Sequence, residues 1–306
     1  VYEKFDKYVP RNEAAERTAG GKVVHFDRVE WHIIPDVSAA GNALTQGEVD
    51  WWGTPNADLR PVLARARGVR MFTMVPTGTI ATMRFNQLQP PFDNPAIRRA
   101  IVHAVTQSDY MIAIQGDDKN TWRDGVGYFC PGTPMASNAG MENLTSPRDL
   151  EAVKKELADA GYKGEKVVLL APQDIPSTKA IAEVSFDLFK RIGLNVEAQA
   201  MDWATLVQRR TKQEPVDQGG WSVFHTSWGG VDQFNPAVHA FLRGNGKQGI
   251  MGWPISPTIE ALRAEWLVAP DLEAQKKVCD TLQLQAFKDV PYIPLGQVLA
   301  PSARRA

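Results

Sequence analysis

An α/β fold is what this sequence predicts, and three observations carry the expectation. Short β-rich runs alternate with helical runs, the helical runs open on capping residues and close on glycine, and residues 166–200 set two apolar runs on either side of one helix. That last arrangement is a βαβ unit, which implies parallel pairing with a right-handed crossover. With 306 residues, 43% hydrophobic and 23% charged, the chain can bury a sizeable core divided between two units.

Charge and cysteine content narrow the function classes. Lys plus Arg number 34 against 35 for Asp plus Glu, so no bulk field draws in nucleic acid or an anionic membrane. No run is long and apolar enough to span a bilayer. Cys130 and Cys279 are far apart and lack Cys-x-x-Cys or histidine spacing, so neither a metal nor a cofactor is expected. One disulfide is conceivable; two unrelated buried thiols are the expectation. The chain starts VYEKFDKY, without an initiator methionine or a charged-then-apolar leader, so localisation is not read from a targeting segment.

Taken in order, residues 29–34 (VEWHII) are β-rich and half-alternating, Asp36 caps a small-residue helix, and Gly47 ends it. Residues 49–52 read as a strand, 57–66 as a short helix closed by Gly68, and 69–75 as a third strand. The Trp51-Trp52 pair has two readings, a stacking surface for a ligand or core packing. Residues 82–86 read as a strand that Gln89-Pro90-Pro91 cannot prolong, because proline lacks the ladder donor. Asn94 then caps a helix with Pro95 in its first turn and Ile97, Ala100, Ile101, Ala104 and Val105 on its apolar face.

A second helix covers 108–115, and 117–147 is a long segment rich in Gly, Asn, Pro and Asp. Its Gly125-Val126-Gly127 lacks the Lys-Ser/Thr sequel of a nucleotide loop. Ser146 and Pro147 start a helix ending at Gly161, followed by a strand at 166–171, a helix at 177–192 and a strand at 194–200. Asp202 caps a helix through Arg210, and Gly219 opens the next strand. Amphipathic helices start at Ser256 and Asp271, and a strand at 292–297 carries prolines that fit a peripheral position.

The stretch best suited to meet a ligand is GGWSVFHTSWGGVDQFNP, residues 219–236, where Trp221, Phe224, His225, Trp228 and Asp232 cluster beside Gly229-Gly230 and Asn235-Pro236 starts the next helix. Ligands of open α/β sheets bind off the carboxyl ends of the strands, and this cluster follows a strand. The glycine-rich LRGNGKQGIMGW run lies on the same rim, with Trp253 either a stacking anchor or a core residue.

Four motifs in a fixed order, VEWHIIPDVSAAGNALTQGEVDWW, FN…PPFDNPAIRRAIVHAV, SPRDLEAVKKELADAGYKGEKVVLL and DVPYIPLGQ, resemble the family 5 extracellular solute-binding proteins of ABC importers, which bind dipeptides, oligopeptides or nickel. The resemblance covers nearly the whole chain. It implies a two-lobed periplasmic-binding-protein-like fold of type II with an incomplete first lobe, since family members are longer at both ends. Residues 1–85, with 296–306 returning, then form part of lobe I, and 86–295 form lobe II. The strand at 82–86 crosses between lobes, that near 292–297 crosses back, and residues 117–147 pack along the cleft mouth.

The implied function is capture of a peptide-like or other small solute in the interlobe cleft, in the periplasm, for delivery to an ABC permease. Peptide-binding members carry a tryptophan, a short glycine-rich gap, an aspartate that pairs with the ligand's α-ammonium, and then Asp-Pro. Asp232 is the nearest match. The gap from Trp228 is one residue longer here and Asn235 replaces the second aspartate, so an ammonium partner and a loop-capping aspartate both stand. Candidate ligand-binding residues are Asn86, Trp221, His225, Trp228, Asp232 and Trp253, and a chain with part of one wall missing is expected to bind weakly or not at all. The alternatives are an oligosaccharide-binding member of the same family, in keeping with nine tryptophans, and a hydrolase using His103 or His225 with Asp232 or Asp202. The last lacks a nucleophile elbow, metal-spaced histidines or a Walker loop.

Overall fold

The computed structural model describes residues 1–16 and 19–306. The chain divides into one unit of Val1–Pro55, Leu59–Met71 and Ala303–Ala306 and a second of Asn56–Asp58 and Phe72–Ser302. In the first, β1 (Tyr2–Glu3) pairs antiparallel with β2 (Arg28–Val29). The strand expected over 29–34 stops at Val29, because among the described residues nothing offers the following residues a ladder. Asp36 accepts from the Ala39 amide at 2.7 Å and starts α1 (Val37–Gln46). Then come β3 (Trp51–Trp52), α2 (Arg60–Arg65) and β4 (Val69–Phe72). Trp52 packs with Leu44, Leu63 and Ala303 in a small core, whereas Trp51 is 48% exposed, so the two rings of the pair part company.

The second unit is built on a six-stranded sheet. Its strands are β5 (Thr79–Phe85), β6 (Trp122–Arg123), β7 (Lys166–Pro172), β8 (Asn195–Met201), β9 (Val223–Gly229) and β10 (Ile293–Val298), in the spatial order β6-β10-β5-β9-β7-β8. β7 and β8 pair in parallel over seven residues, with α7 (Pro176–Arg191) between them in the chain, as the βαβ reading requires. β5 is antiparallel to both its neighbours, Thr79 facing Gly229 and Val298.

Two sequence expectations change here. The first lobe was expected to extend to residue 85, but β5 is hydrogen-bonded along its length to β9 and β10, so the boundary falls near residue 72 and the return near 303 rather than 296. Every residue from Ile80 to Phe85 is buried, so both faces of the strand are covered, which only an internal strand allows. The strand at 292–297 is internal as well, lying between β6 and β5. Its prolines fit because β6 pairs only at Gln297 and Val298, beyond Pro294.

Helices α3 (Pro95–Ala104), α4 (Gln107–Gln115), α5 (Glu142–Thr145), α6 (Leu150–Asp159), α8 (Trp203–Arg209), α9 (Pro257–Val268) and α10 (Leu272–Asp289) complete this unit, and β11 (Ser302–Arg305) ends the chain between β3 and β4. α6 starts three residues later than its Ser-Pro signal suggests, because Asp149 is the residue whose carboxylate accepts from the Glu151 and Ala152 amides. After Asn235-Pro236 the expected helix is a turn and a 3₁₀ segment, Ala240–Leu242; Asn235 spends its carboxamide on the amides of Ala237 and Val238.

Arg84, in the middle of the sheet, is fully buried. It donates to the carbonyls of Phe241, Met251 and Pro291 and lies 4.3 Å over the Phe241 ring. Burial draws its guanidinium down to about 9, so it stays charged at neutral pH. Cys130 packs with Ile80 and Val126, Cys279 lies in the main core, and the two are not bridged.

Candidate functional site

β7, β8, β9 and β10 run in the same direction, so their carboxyl ends, Pro172, Met201, Gly229 and Val298, form one edge of the sheet, together with the amino end of β5 at Thr79. The segments entering β5 and leaving β10 also meet this edge. Gly230 donates to Gly78 at 2.9 Å and Leu299 to Thr121 at 2.7 Å. Loops to α7 and α8 open here too, so helix N-termini and strand ends converge as they do around ligands in open α/β sheets.

The six candidate residues divide between the two edges and the two faces of this sheet. Trp228 and Asp232 belong to the carboxyl edge. Trp228 is half-buried, its ring 4.6 Å from that of Phe241. Asp232 sits in the 3₁₀ turn Gly230–Gln233 and is also half-buried, with Oδ2 folded back to 2.8 Å from where a Cβ on Gly229 would stand. Among the described residues its carboxylate takes part in no hydrogen bond or ion pair. The loop-capping alternative for Asp232 would need such a bond.

Asn86, Trp221 and Trp253 lie at the opposite edge, about 20 Å away along β9 at roughly 3.3 Å per residue. Asn86 donates to the Trp221 carbonyl and accepts from the Leu88 amide. Trp221 is fully buried, edge-on to Phe224 at 5.0 Å and 5.8 Å from Trp253, and its indole donates to the Lys212 carbonyl. These side chains are packed and hydrogen-bonded within the second unit, and the chain enters the sheet at the other end of β5, at Thr79.

His225 faces the helical side of the sheet, since alternation along β9 sends it away from Trp228. Its Nε2 lies 2.8 Å from Ser185 Oγ, which lies 3.1 Å from the Tyr110 hydroxyl, and all three residues are buried. A serine beside a histidine resembles a nucleophile–base pair, but burial draws His225 down to about 3 and Nδ1 has no orienting partner among the described residues. His103 instead bonds Glu156 at 2.8 Å on the outer side of α3, and Asp202 is spent on capping α8. Among the described residues neither histidine is hydrogen-bonded to Asp202 or Asp232.

Sequence reading missed Asp174 and Trp203, which follow β7 and β8 at the same carboxyl edge as Asp232. Asp174 accepts from the Trp203 amide at 2.8 Å, and Trp203 is half-buried with Arg210 5.6 Å from its ring. The signal that finds them is position: each stands within two residues of the end of a strand in a βα unit. Gln233 and Gln297, both fully buried, were missed because no motif marks a lone glutamine.

Residues 1–249 match the family described as bacterial extracellular solute-binding proteins, family 5 Middle. The chain is 35% identical, over 99% of its length, to a probable peptide ABC transporter periplasmic-binding protein of Sinorhizobium fredii, and covers 57% of that relative. It thus spans about half the length of the relatives it matches. Its fold is similar to that of an ABC transporter substrate-binding protein of Listeria monocytogenes, with a TM-score of 0.76 at 19% identity over 89% of this chain and 54% of that one. It is also similar to a dipeptide-binding protein of Pseudoalteromonas in complex with Met-Leu, with a TM-score of 0.70 at 20% identity over 90% of this chain and 53% of that one.

Proposed function

Because this chain belongs to the family 5 bacterial extracellular solute-binding proteins, we propose that it is the solute-capturing part of an ABC importer for peptides. It works outside the cytoplasmic membrane, in the periplasm, and hands its solute to a membrane permease. Relatives of this family are transport binding proteins rather than enzymes. Among the described residues no helix is long and apolar enough to cross a membrane. The Sinorhizobium relative is named for peptide transport and the Pseudoalteromonas structure holds Met-Leu, which supports a peptide over a sugar.

The observation that carries the reading is the Asp232 carboxylate, half-buried at the carboxyl edge and, among the described residues, without a hydrogen bond or ion pair. A carboxylate so placed is held ready for a cation, and a peptide's terminal ammonium supplies one. Trp228, near the end of the strand that leads into the Asp232 turn, offers an apolar flank. The solute site also draws on the Asp174 and Trp203 loops, while Asn86, Trp221, His225 and Trp253 act by shaping the lobe beneath it.

A thermal-shift screen of di- to pentapeptides against neutral oligosaccharides tests the class of solute. Peptides with a free amino terminus should raise the melting temperature and sugars should not. Stabilisation by sugars alone would replace this reading with the oligosaccharide-binding one, and turnover of any bound compound would replace it with an enzyme.

A further inference from the structure

Tyr292 lies where two lines of contact from the carboxyl edge converge. One starts at Trp228, whose ring is 4.6 Å from that of Phe241, and the Phe241 ring is in turn 5.9 Å from that of Tyr292. The other starts at the Asp232 turn. The next residue, Gln233, is fully buried and accepts through Oε1 from the Tyr292 hydroxyl at 3.2 Å. Trp228 and Asp232, the two candidate residues at that edge, therefore rest on one side chain through different parts of it, the ring and the hydroxyl.

The hydroxyl is itself held. His239 Nε2 lies 2.9 Å from the Tyr128 carbonyl, which can only accept, so this nitrogen carries the proton and also donates to the Tyr292 oxygen at 2.9 Å. The Tyr292 proton is left for Gln233. Turning the Gln233 carboxamide over reverses that bond without breaking it: Tyr292 then accepts from Nε2 and donates to the Tyr128 carbonyl, 3.4 Å away. Burial draws His239 down to about 3 and raises the Tyr292 hydroxyl well above its usual value, so both stay neutral at physiological pH. In the turn itself, the Gly230 amide donates to the Gly78 carbonyl at 2.9 Å and the Cys130 amide to the Gln233 carbonyl at 3.1 Å. Val231 and Phe234 are 38% and 36% exposed, which leaves Gln233 as the side chain by which the turn grips the core.

We propose that Tyr292 is a positioning residue for the solute site, its hydroxyl fixing Asp232 through Gln233 and its ring fixing Trp228 through Phe241. Its action on a peptide ammonium rests on the peptide-binding reading. The two lines of contact do not.

The affinities of the 306-residue chain for tetra-alanine and N-acetyl-tetra-alanine are measured in the wild type, Tyr292→Phe, Gln233→Leu and the double variant, each checked for folding by near-ultraviolet circular dichroism. Each single variant should lose about threefold or more of the preference for the free amino terminus. The double variant should lose no more than the worse single one, because both act through one bond. Affinity for the acetylated peptide should stay within error of the wild type, whereas a merely structural defect would weaken both peptides alike. Unchanged preference, equal weakening of the two peptides, or losses that multiply in the double variant overturn the proposal. A second readout needs no solute: in the free chain the backbone amide resonances of residues 231–233 should move in both single variants, while the Trp228 indole N–H stays in place in Tyr292→Phe, which keeps the ring. Turn amides that do not move overturn the proposal whatever the solute proves to be. A wild type without preference, with those shifts present, refutes the peptide-binding reading and with it the action on an ammonium.

Discussion

His225 and His239 are both drawn down to about 3 by burial, the second in spite of the Tyr128 carbonyl that favours its charged form. In the unfolded chain a histidine takes its proton near pH 6.5, so between ~6.5 and ~3 the unfolded state holds more protons than the folded one. Stability is thus complete above ~6.5 and falls as the pH drops, by roughly 1.4 kcal/mol per pH unit for each histidine. Urea midpoints at pH 7.5, 6 and 5 should decrease, and His225→Gln should flatten the trend; midpoints independent of pH would refute the buried neutral pair. Arg84 makes the opposite kind of contribution. Its guanidinium is the shared donor for carbonyls from three separate segments of the chain, so Arg84→Met leaves those carbonyls dry and unpaired and should cost at least ~3 kcal/mol. A urea midpoint within error of the wild type would contradict that accounting. Neither arginine nor histidine declared its burial in the sequence, because both residue types are ordinarily exposed and only the strand's internal position encloses them.

At the scale of elements, the helices and the βαβ unit were legible because their signals are local. Asn94 with Pro95, Asp36, Asp202 and Asp271 all cap the helices they were read to cap. The misreadings concern pairing, which is not local. Residues 29–34 alternate as a strand should, yet a strand exists only where a neighbour supplies the ladder. Likewise the prolines around 291–294 suggested an edge, when the question was how far β6 reaches along β10. The candidate site was half legible for the same reason: Trp228 and Asp232 follow a strand towards its carboxyl end, but which end of β5 meets the connecting segments is a matter of topology. Gly230 is the element-level test. Its neighbours leave no room for a methyl group, so Gly230→Ala should destabilise by ~1–3 kcal/mol through overpacking. It should also displace the Asp232 turn. A variant of unchanged stability and unchanged peptide response would show that the turn has slack the geometry does not indicate.

For the molecule as a whole, the division into two units places nearly all of the large core in the second, where the sheet and its helices bury residues from Ala81 to Leu295. The first has a core of Leu44, Leu63 and Ala303 with a few partly buried neighbours. Family membership rests on the sequence match, and the role of any one residue rests on the geometry of the carboxyl edge. The two claims meet at Asp232. The most direct measurement is an NMR titration that follows the Trp228 indole N–H of the 306-residue chain, which detects even millimolar binding. Tetra-alanine should shift that resonance, N-acetyl-tetra-alanine should shift it at least tenfold less effectively, and Asp232→Ala should abolish the difference, equivalent to ~1.5–3 kcal/mol for a hydrogen bond to a charged group. Equal responses to the free and acetylated peptides, or a difference that survives in Asp232→Ala, would contradict the account.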